Sequence, residues 1–433
     1  DQGNIKNGMI IIKNGKISYV GNMNESRIGR IDYLARVIDA KGKHVTSGII
    51  DEHSHIAISK GVNESGQAIS AEVSIGHVVN PEDINIYRQL SGGVTAAQLL
   101  HGSANPIGGQ SALIKLKWGC PAQEMLIDNA PKFIKFALGE NVKQSKWGIN
   151  SGKFPQTRMG VEQIYYDAFM RAINYSKEWK EYKAGKRNKI PRKDLELEII
   201  DEILNSERFI SCHSYVQSEI NMLMHVADSM GFKINTFTHI LEGYKVADKM
   251  KEHGAGGSTF SDWWAYKYEV NDAIPYNASM MHEQGVIVAI NSDDAEMGRR
   301  LNQEAAKSVK YGGMSEEDAW KLVTLNPSKL LHLDDRMGSI KVGKDADVVV
   351  WTENPLSIMA KVNYTIIDGI VLFDSVKDVE LRENNYKEHS RIISKMLNKN
   401  NKGDEKIKFI KKKNGHYHCD TIGEEKSTTE NKH

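Results

Sequence analysis

Short apolar runs alternate with longer mixed stretches along most of the chain and predict the strands and helices of an α/β fold. The apolar runs of strand length lie at residues 48–50, 95–100, 111–116, 133–138, 209–212, 234–238 and 286–290. Residues 219–229 and 243–251 instead carry apolar side chains at three- and four-residue intervals, which is the spacing of an amphipathic helix. Repeated strand–helix units predict a parallel sheet, and their combined length favours closure into a (β/α)8 TIM barrel over residues 47–330.

Hairpin signals flank this region on both sides. Near the start of the chain, Asn14-Gly15 separates two β-rich runs, and near the end Asp368-Gly369 does the same. Such a dipeptide between β-rich runs is the strongest short-range signal for a two-residue hairpin turn. A further strand is predicted at residues 347–351, which read DVVVW.

The two chain ends are therefore predicted to build one small β-sandwich domain, from residues 1–46 and 331–375, into which the barrel is inserted. Residues 142–192 are long for a crossover connection and predict helices or a lid over one rim. Residues 376–433 predict a helical segment followed by a flexible, solvated tail, because apolar periodicity fades there. A His-Tyr-His-Cys run at 416–419 allows a metal site, but we interpret it as chance histidines in the tail.

Composition narrows the class of protein without identifying it. The 433 residues include 40% hydrophobic and 26% charged side chains, a globular composition, and 57 basic against 56 acidic residues give a net charge of +1. This balance predicts neither nucleic acid nor a membrane surface as the main partner, and it leaves a small molecule or short peptide as the substrate. No apolar run reaches the roughly 20 residues that span a bilayer. We expect a soluble protein of the cytoplasm or periplasm, and a homo-oligomer is compatible with the sequence.

The first candidate for chemistry is a pair of histidines after an apolar run. His53 and His55 follow residues 48–50 in the sequence GIIDEHSH. Alternate residues of a strand point to the same side, so both imidazoles are predicted to share one face at the strand's C-terminal end. Barrel enzymes keep their active sites at that end.

Three later residues fall in equivalent positions. His213 and His239 each follow a predicted strand, and Asp293 follows the strand at 286–290. Strand ends of one barrel converge on one mouth, and several imidazoles with a carboxylate suit one or two divalent metal ions, with zinc favoured. Asp293 is predicted both to ligate the metal and to act as the catalytic proton acceptor. A helix N-cap is the alternative role for Asp293.

The flanking sequences make a family resemblance specific. The runs VIDAKGKHVTSGIIDEHSH and NPSKLLHLDDRMGSIKVGKDADVVVW, which end at His55 and Trp351, resemble the first-strand signature and the late return segment of the amidohydrolase superfamily. GGVTAAQLLHGSANPIGGQSALIKL and IKFALGENVK are most similar to its imidazolonepropionase-like branch. The resemblance covers roughly residues 9–375. Ser47 stands where the family usually has proline, and Thr238 precedes His239 where an acidic residue is common.

This resemblance implies a further metal ligand between the first and later histidines. Many members bridge two metals through a carboxylated lysine on the fourth strand, whereas others use a glutamate nearby. Residues 133–141 offer both Lys135 and Glu140. A lysine in a buried strand is costly unless neutralised or paired, which favours Lys135 as the carboxylated bridging ligand and leaves Glu140 as the alternative.

Other residues near the predicted mouth are candidates for substrate contact. His101 ends a predicted strand, Tyr215 follows His213 by two residues, and Gln110 lies in the glycine-rich segment after His101. Arg158 can bind an acidic group of the substrate, although an ordinary salt bridge explains it equally well.

The function implied by the resemblance is hydrolysis by metal-bound hydroxide at a carbonyl, with cleavage of an amide or cyclic amide C–N bond other than a typical protein peptide bond. A dipeptide or an N-acyl amino acid fits this chemistry. Deamination of an aminated ring is the alternative, but family deaminases usually carry a glutamate three residues past the fifth-strand histidine, where this chain has Val216. Lactone or ester hydrolysis uses the same attack and stays open, whereas a non-enzymatic binding barrel is disfavoured by the complete ligand set.

Overall fold

The structure is a computed structural model that describes residues 3–23, 35–59, 61–143, 154–262 and 267–398, with the backbone of residues 399–400. Its strands are β1 (Gly8–Lys13), β2 (Lys16–Asn22), β3 (His44–Ser47), β4 (Ile49–Ser54), β5 (Val94–Leu99), β6 (Ile107–Gln110), β7 (Ala112–Lys115), β8 (Lys132–Ala137), β9 (Arg208–His213), β10 (Thr236–Thr238), β11 (Gly256–Thr259), β12 (Val288–Ile290), β13 (Val348–Trp351), β14 (Val362–Ile367) and β15 (Ile370–Asp374).

The α-helices lie mostly between these strands. They are α1 (Ile84–Leu90), α2 (Ala122–Met125), α3 (Arg158–Lys183), α4 (Leu195–Leu204), α5 (Gln217–Met230), α6 (Ala247–His253), α7 (Asn277–Glu283), α8 (Leu301–Gly312), α9 (Glu316–Lys321), α10 (Leu325–Leu330) and α11 (Ser375–Asn400). Short 3-10 turns occur at Ile75–Val78, Gly243–Lys245, Tyr268–Val270 and Met297–Arg300. In the part of the chain that the structure describes, no helix is both long and apolar enough to cross a bilayer.

The central sheets confirm each predicted strand position and correct the expectation of uniformly parallel pairing. One sheet has the order β12-β11-β10-β9-β8-β6, and its run from β8 to β12 is parallel. A second sheet has the order β4-β5-β7. β6 pairs antiparallel with β8, and β7 pairs antiparallel with β5. β6 and β7 are separated only by Ser111, which is too short a connection for a helical crossover and so breaks the βα repeat.

The parallel run brings the carboxyl ends of its strands to one edge of the sheet. His213 at the end of β9 is in register with Thr238 at the end of β10, and Thr238 is in register with Ser258 of β11. β12 meets β4 through the N–H of Asp293, which donates to the carbonyl of His53 at 3.1 Å. The ends of strands from both sheets therefore lie together around His53.

The chain ends share a further sheet, with the order β15-β14-β13-β3. β3 pairs antiparallel with β13, so a strand from before the central region lies beside one from after it. The predicted turns are present, because Asn14 and Asp368 have φ of 51° and 48° and each is followed by a glycine with positive φ. Both hairpins thus use the left-handed turn that Asn-Gly and Asp-Gly favour.

Long helices cover the outside of the strands with apolar faces. In α3, Phe169 stacks on Phe232 with ring centroids 3.7 Å apart, and the buried Tyr165 hydroxyl lies within hydrogen-bond distance of the carbonyls of Ala137 and Pro106, at 2.7 and 2.9 Å. This helix lies in the stretch predicted as helices or a lid, of which residues 144–153 lie outside the described residues, as does the His-Tyr-His-Cys run at 416–419.

Candidate metal centre

β4 and the residue after it carry the two predicted histidines, which lie in a buried site. Every residue of Ile49–Ser54 is buried, His53 lies at its end and His55 directly follows it. The Nε2 atoms of His53 and His55 are 3.2 Å apart. The side chains are almost wholly removed from solvent, with 0% and 3% of their surfaces exposed. The alternation of the strand therefore brings the two imidazoles together, as the sequence predicts.

The contacts of these rings determine which nitrogen carries the proton. His55 Nδ1 lies 2.9 Å from the carbonyl oxygen of Leu100, which can only accept, so Nδ1 donates and Nε2 keeps its lone pair. His53 Nε2 lies 3.0 Å from Nζ of Lys135, which can donate an N–H to a lone pair on this nitrogen. Both Nε2 atoms are thus placed to act as metal ligands.

Asp293 joins the histidines from β12. Its φ of 51° is left-handed, a conformation that aspartate tolerates better than most residues. Its Oδ1 lies 3.2 Å from His55 Nε2 and 3.4 Å from His53 Nε2, and its Oδ2 lies 3.7 Å from His239 Nε2. One carboxylate therefore reaches three imidazoles.

Asp51 holds the segment that carries Asp293. It accepts the backbone N–H of Ser292 at 3.0 Å and the Ser292 hydroxyl at 2.5 Å. Burial raises the pKa of Asp51 to about 7, although the hydrogen bonds from Ser292 oppose the shift. Sequence reasoning did not assign Asp51 a role, but an acidic residue inside an apolar strand is itself a signal, because burying an unpartnered carboxylate is costly.

Lys135 contacts the histidines from β8. It is fully buried, and its Nζ contact with His53 places it at the centre of the cluster. Glu140 lies three residues beyond the end of β8, is partly exposed, and donates its backbone N–H to Glu269 Oε2 at 2.9 Å. The contact with a histidine favours Lys135 over Glu140 as the ligand.

His213 and His239 complete the cluster from β9 and β10. Both are fully buried. The His239 ring lies 4.1 Å from that of His53 and 5.1 Å from that of His213, between centroids. Burial holds the pKa of both His53 and His213 well below the usual range, with the nearby Lys135 and His239 acting in the same direction. The rings are therefore neutral at neutral pH, which is the state that binds metal.

The donor set fits a divalent cation. His53, His239 and Asp293 offer one ligand atom each, and these atoms lie within 4.8 Å of one another. His55 and Lys135 contact the same group, and His213 adjoins it. Imidazole nitrogens with a carboxylate oxygen suit Zn²⁺ and related transition metals better than the all-oxygen shells of Ca²⁺ or Mg²⁺.

The predicted substrate residues occupy different settings. His101 is buried, and both ring nitrogens contact backbone, with Nδ1 at 2.8 Å from the carbonyl of Gly102 and Nε2 accepting the N–H of Glu64 at 2.7 Å. Burial lowers the pKa of His101 to about 4. These contacts hold the loop before β6. Gln110 likewise donates to the carbonyl of Ala71 at 3.1 Å.

Tyr215 and Arg158 differ in their distance from the cluster. The Tyr215 ring is buried and lies 4.6 Å from that of His213, so it forms part of the wall beside the histidines. Arg158 is half exposed, and its Nε forms a 2.5 Å ion pair with the buried Glu219. The salt-bridge alternative for Arg158 is therefore present in the structure, and substrate contact by either residue stays a prediction.

Sequence reasoning assigned no role to three further residues beside the cluster, which are Glu52, Thr238 and Lys267. The Thr238 hydroxyl lies 2.8 Å from His53 Nδ1, and the fully buried Glu52 accepts from that hydroxyl at 3.3 Å. Burial raises the pKa of Glu52 to about 8, against the lowering effects of Ser258 and Lys135. Lys267 lies 4.4 Å over the Tyr215 ring and pairs with Glu269 at 3.1 Å. Position in the sequence gave no signal for Lys267, because it lies in a loop between strands.

Comparisons with known proteins identify the family of this arrangement. Residues 270–372 match the sequence pattern of the amidohydrolase family. The crystal structure of an amidohydrolase from Thermotoga maritima superposes with a TM-score of 0.77 at 30% identity, over 84% of this chain and 94% of that one. The chain therefore belongs to the amidohydrolase family, and its mixed α/β fold is of the TIM-barrel type.

Curated relatives place the chain within that family. Amidohydrolase tasK of Hapsidospora irregularis is 30% identical over 85% of this chain, which spans only 40% of the length of that relative. Imidazolonepropionase of Thermoplasma volcanium is 22% identical, over 87% of this chain and 93% of the relative. The protein is an imidazolonepropionase-like member of the family and a hydrolase.

Proposed function

We propose that this protein hydrolyses a C–N bond at the carbonyl of an amide or cyclic amide in a small molecule or short peptide. The observation that carries the proposal is the single carboxylate of Asp293 lying within 3.7 Å of three buried imidazole nitrogens. A dipeptide or an N-acyl amino acid is the class of substrate we favour. The relatives named imidazolonepropionase and amidohydrolase support this reaction class.

The proposed ligand set divides between two metal positions, with zinc as the favoured ion. His53 and His55, with Asp293, would hold a metal next to β4, and His213 and His239 would hold the other. Lys135 would be the ligand shared by the two positions once carboxylated: its ammonium would lose a proton, the neutral Nζ would attack the carbon of CO2, and an N–C bond would form as one C–O π bond opens. Loss of a second proton would leave a carbamate with two oxygen donors. The 3.0 Å contact of Lys135 Nζ with His53 supports this assignment.

A bound divalent cation supplies Lewis-acid polarisation of the carbonyl and acidifies a coordinated water molecule. The chain supplies the proton transfers. Asp293, held in place by the hydrogen bond of its N–H to His53, accepts the proton of the attacking water and donates it to the leaving nitrogen. Tyr215 and the loop held by His101 shape the space beside the histidines.

The fold around this site is proposed to close into a (β/α)8 barrel, with the sheet of β3, β13, β14 and β15 as part of the separate β-sandwich domain. Closure is supported where β12 meets β4, because Ser292 and Asp293 both bond to that strand. Such closure places all the proposed ligands at one mouth.

The test of the metal site is elemental analysis of protein never exposed to chelator. We expect at least one equivalent of zinc or a similar transition metal, because neutral imidazoles and a carboxylate are already arranged around one point. Less than about a tenth of an equivalent would contradict the proposal. Replacing His53 and His55 together by alanine should abolish binding next to β4.

Asp293→Asn tests the proposed proton shuttle. We expect turnover to fall by about 10² to 10⁴, the usual contribution of a positioned acid or base, while the histidines keep at least part of the metal. The matched control is Asp294→Asn, because the side chain of Asp294 accepts the backbone N–H groups of Glu296 and Met297, each at 2.9 Å, within its own turn. Equal activity of the two variants would exclude Asp293 as the shuttle.

The substrate class is tested on the same metal-loaded preparation. Dipeptides, N-acyl amino acids and cyclic amides should be hydrolysed, and aminated purines, pyrimidines or triazines should not release ammonia. Release of ammonia from such rings, without hydrolysis of any amide, would show that the protein is a deaminase.

A further inference from the structure

We infer that the pair Glu52–Thr238 is a positioning device that fixes the tautomer of His53 and thereby sets the metal affinity next to β4. The inference rests on the proposed metal site, but it assigns to these two residues a role that the ligand set alone does not include.

The Thr238 hydroxyl, on β10, lies between two buried partners that are both on β4. Its oxygen is 2.8 Å from His53 Nδ1 and 3.3 Å from Glu52 Oε2, and all three residues are fully buried. Water therefore does not compete for these contacts. Since a hydroxyl has one proton and two lone pairs, it can donate to only one of its two neighbours.

Glu52 determines the direction in which that proton points. The Thr238 hydroxyl donates to Glu52 Oε2, which accepts this hydrogen bond through a lone pair. The lone pairs of the hydroxyl then face His53 Nδ1, which must donate. The proton of the neutral ring is thus held on Nδ1, and the lone pair of Nε2 faces the space that Lys135, His55 and Asp293 also border.

Without this arrangement the wrong tautomer gains stability. A Thr238 hydroxyl released from Glu52 can rotate and donate to Nδ1, which moves the ring proton to Nε2 and removes the ligand atom. Groups that orient a metal-ligating histidine through its second nitrogen typically contribute 10- to 100-fold to metal affinity. The tautomer of His55 needs no such side-chain pair, because the backbone carbonyl of Leu100 accepts the proton of its Nδ1.

The experiment compares zinc affinity by chelator competition in the full-length wild-type protein and in three variants of β10. Thr238→Val removes the hydroxyl at nearly constant volume, and we expect zinc to bind about 10- to 100-fold more weakly. Thr238→Ser keeps the hydroxyl and should retain most of the affinity. Thr236→Val is the control, because Thr236 lies on the same strand, is equally buried and accepts from Asn235 Nδ2 at 2.8 Å; its affinity should stay within about twofold of wild type.

Several results would overturn the inference. One is equal zinc affinity of Thr238→Val and wild type. Another is a loss of zinc affinity in Thr236→Val as large as that in Thr238→Val. The third is zinc binding by Thr238→Ser that is as weak as that of Thr238→Val. If Thr238→Val does not fold, Glu52→Leu takes its place, since it removes the acceptor and fills the same buried space with apolar atoms. We expect weaker zinc binding there too, and unchanged affinity excludes the role of Glu52. A wild-type protein that binds no metal overturns the proposed function as well. Equal zinc affinities of wild type and Thr238→Val overturn only this inference.

Discussion

Two buried lysines show how the surroundings of a single residue decide its role. Lys115 and Lys135 both lie in buried parts of strands, with 3% and 0% of their surfaces exposed. Although burial opposes its charge, nearby aspartates, Asp347 first among them, hold the pKa of Lys115 above its usual value. Lys135 instead meets the imidazole of His53. A lysine placed against histidines is suited to become a neutralised or carboxylated ligand, whereas one placed among carboxylates stays a cation.

Removal of Lys135 and of Glu140 should therefore have different effects on metal content. We expect Lys135→Ala to lose metal, because the bridging ligand is gone, and Glu140→Ala to keep its full complement. Elemental analysis of both variants against wild type measures the difference. Full metal content in Lys135→Ala together with loss in Glu140→Ala would assign the ligand to the glutamate.

At the scale of elements, His253 ties the end of α6 to the chain before β10. Its Nε2 accepts the N–H of Ile234 at 3.1 Å, and its Nδ1 lies 2.9 Å from a carboxylate oxygen of Asp228. The neutral ring satisfies both contacts. Protonation of His253 Nε2 would place its N–H against the N–H of Ile234, so two donors would face each other. Burial of the ring lowers the pKa of His253. Lys233 lowers this pKa further, whereas Asp228 raises it.

This arrangement predicts a pH dependence of stability. Because the pKa is lower in the folded protein than the unfolded value of 6.5, the contribution of His253 is present above that value and is lost as the pH falls through the folded pKa. We expect His253→Gln to unfold more easily than wild type at about pH 8 and the difference to shrink towards about pH 5. Denaturant unfolding of both proteins across this pH range measures the difference in stability. Titrations that the two proteins share cancel in that difference. A difference that stays constant with pH would contradict the account.

At the scale of the whole molecule, Lys115 connects the central sheets to the sheet shared by the chain ends. From β7 its Nζ reaches Asp345 at 2.8 Å and Asp347 at 3.1 Å, both in the approach to β13, and it also contacts Asp368 in the turn between β14 and β15. The three carboxylates could by their spacing hold a metal ion, but the ammonium groups of Lys115, Lys16 and Lys117 already pair with them. The cluster is an ionic link between two parts of the fold.

Breaking this link should destabilise the protein strongly. Lys115→Met removes the cation that pairs with the buried Asp347, and we expect a loss of about 3 to 5 kcal/mol in the free energy of unfolding. Lys117→Met is the control, because Lys117 is 30% exposed and pairs with Asp368 alone among the aspartates of the cluster; its loss should stay below about 1 kcal/mol. Denaturant unfolding measures both, and similar losses in the two variants would show that the buried link contributes little.

Local sequence determined where most strands and turns lie. β-rich runs around Asn14-Gly15 and Asp368-Gly369 predicted both hairpins, because those dipeptides favour a left-handed turn in any context. Apolar runs located the strands that carry His53 and His213, since a strand buried on both faces needs apolar side chains along its length. The predicted histidines and Asp293 follow from strand ends, whereas Lys135 and Glu140 follow from the family resemblance.

Other strands were missed because their sequences lack that signal. β6 and β11 read IGGQ and GGST, and glycine carries no side chain from which a pattern can be read. In β11 the glycines serve tertiary packing: a Cβ on Gly256 would lie 2.2 Å from the Leu330 side chain, and one on Gly257 would lie 3.1 Å from Met281 sulfur. Strand formation there depends on neighbours that are distant in the chain.

Contacts between distant residues were decided only by the tertiary structure. The sequence showed that Lys135 and Glu140 were both candidates, but only packing of β8 beside the strand ends brought Lys135 to His53. Glu52 and Thr238 lie 186 positions apart, and no local pattern relates them. Local patterns determine which residues end a strand, because periodicity is a property of neighbours in the chain. Which side chains then share a proton depends on the register and burial of different strands, and only the complete fold establishes these.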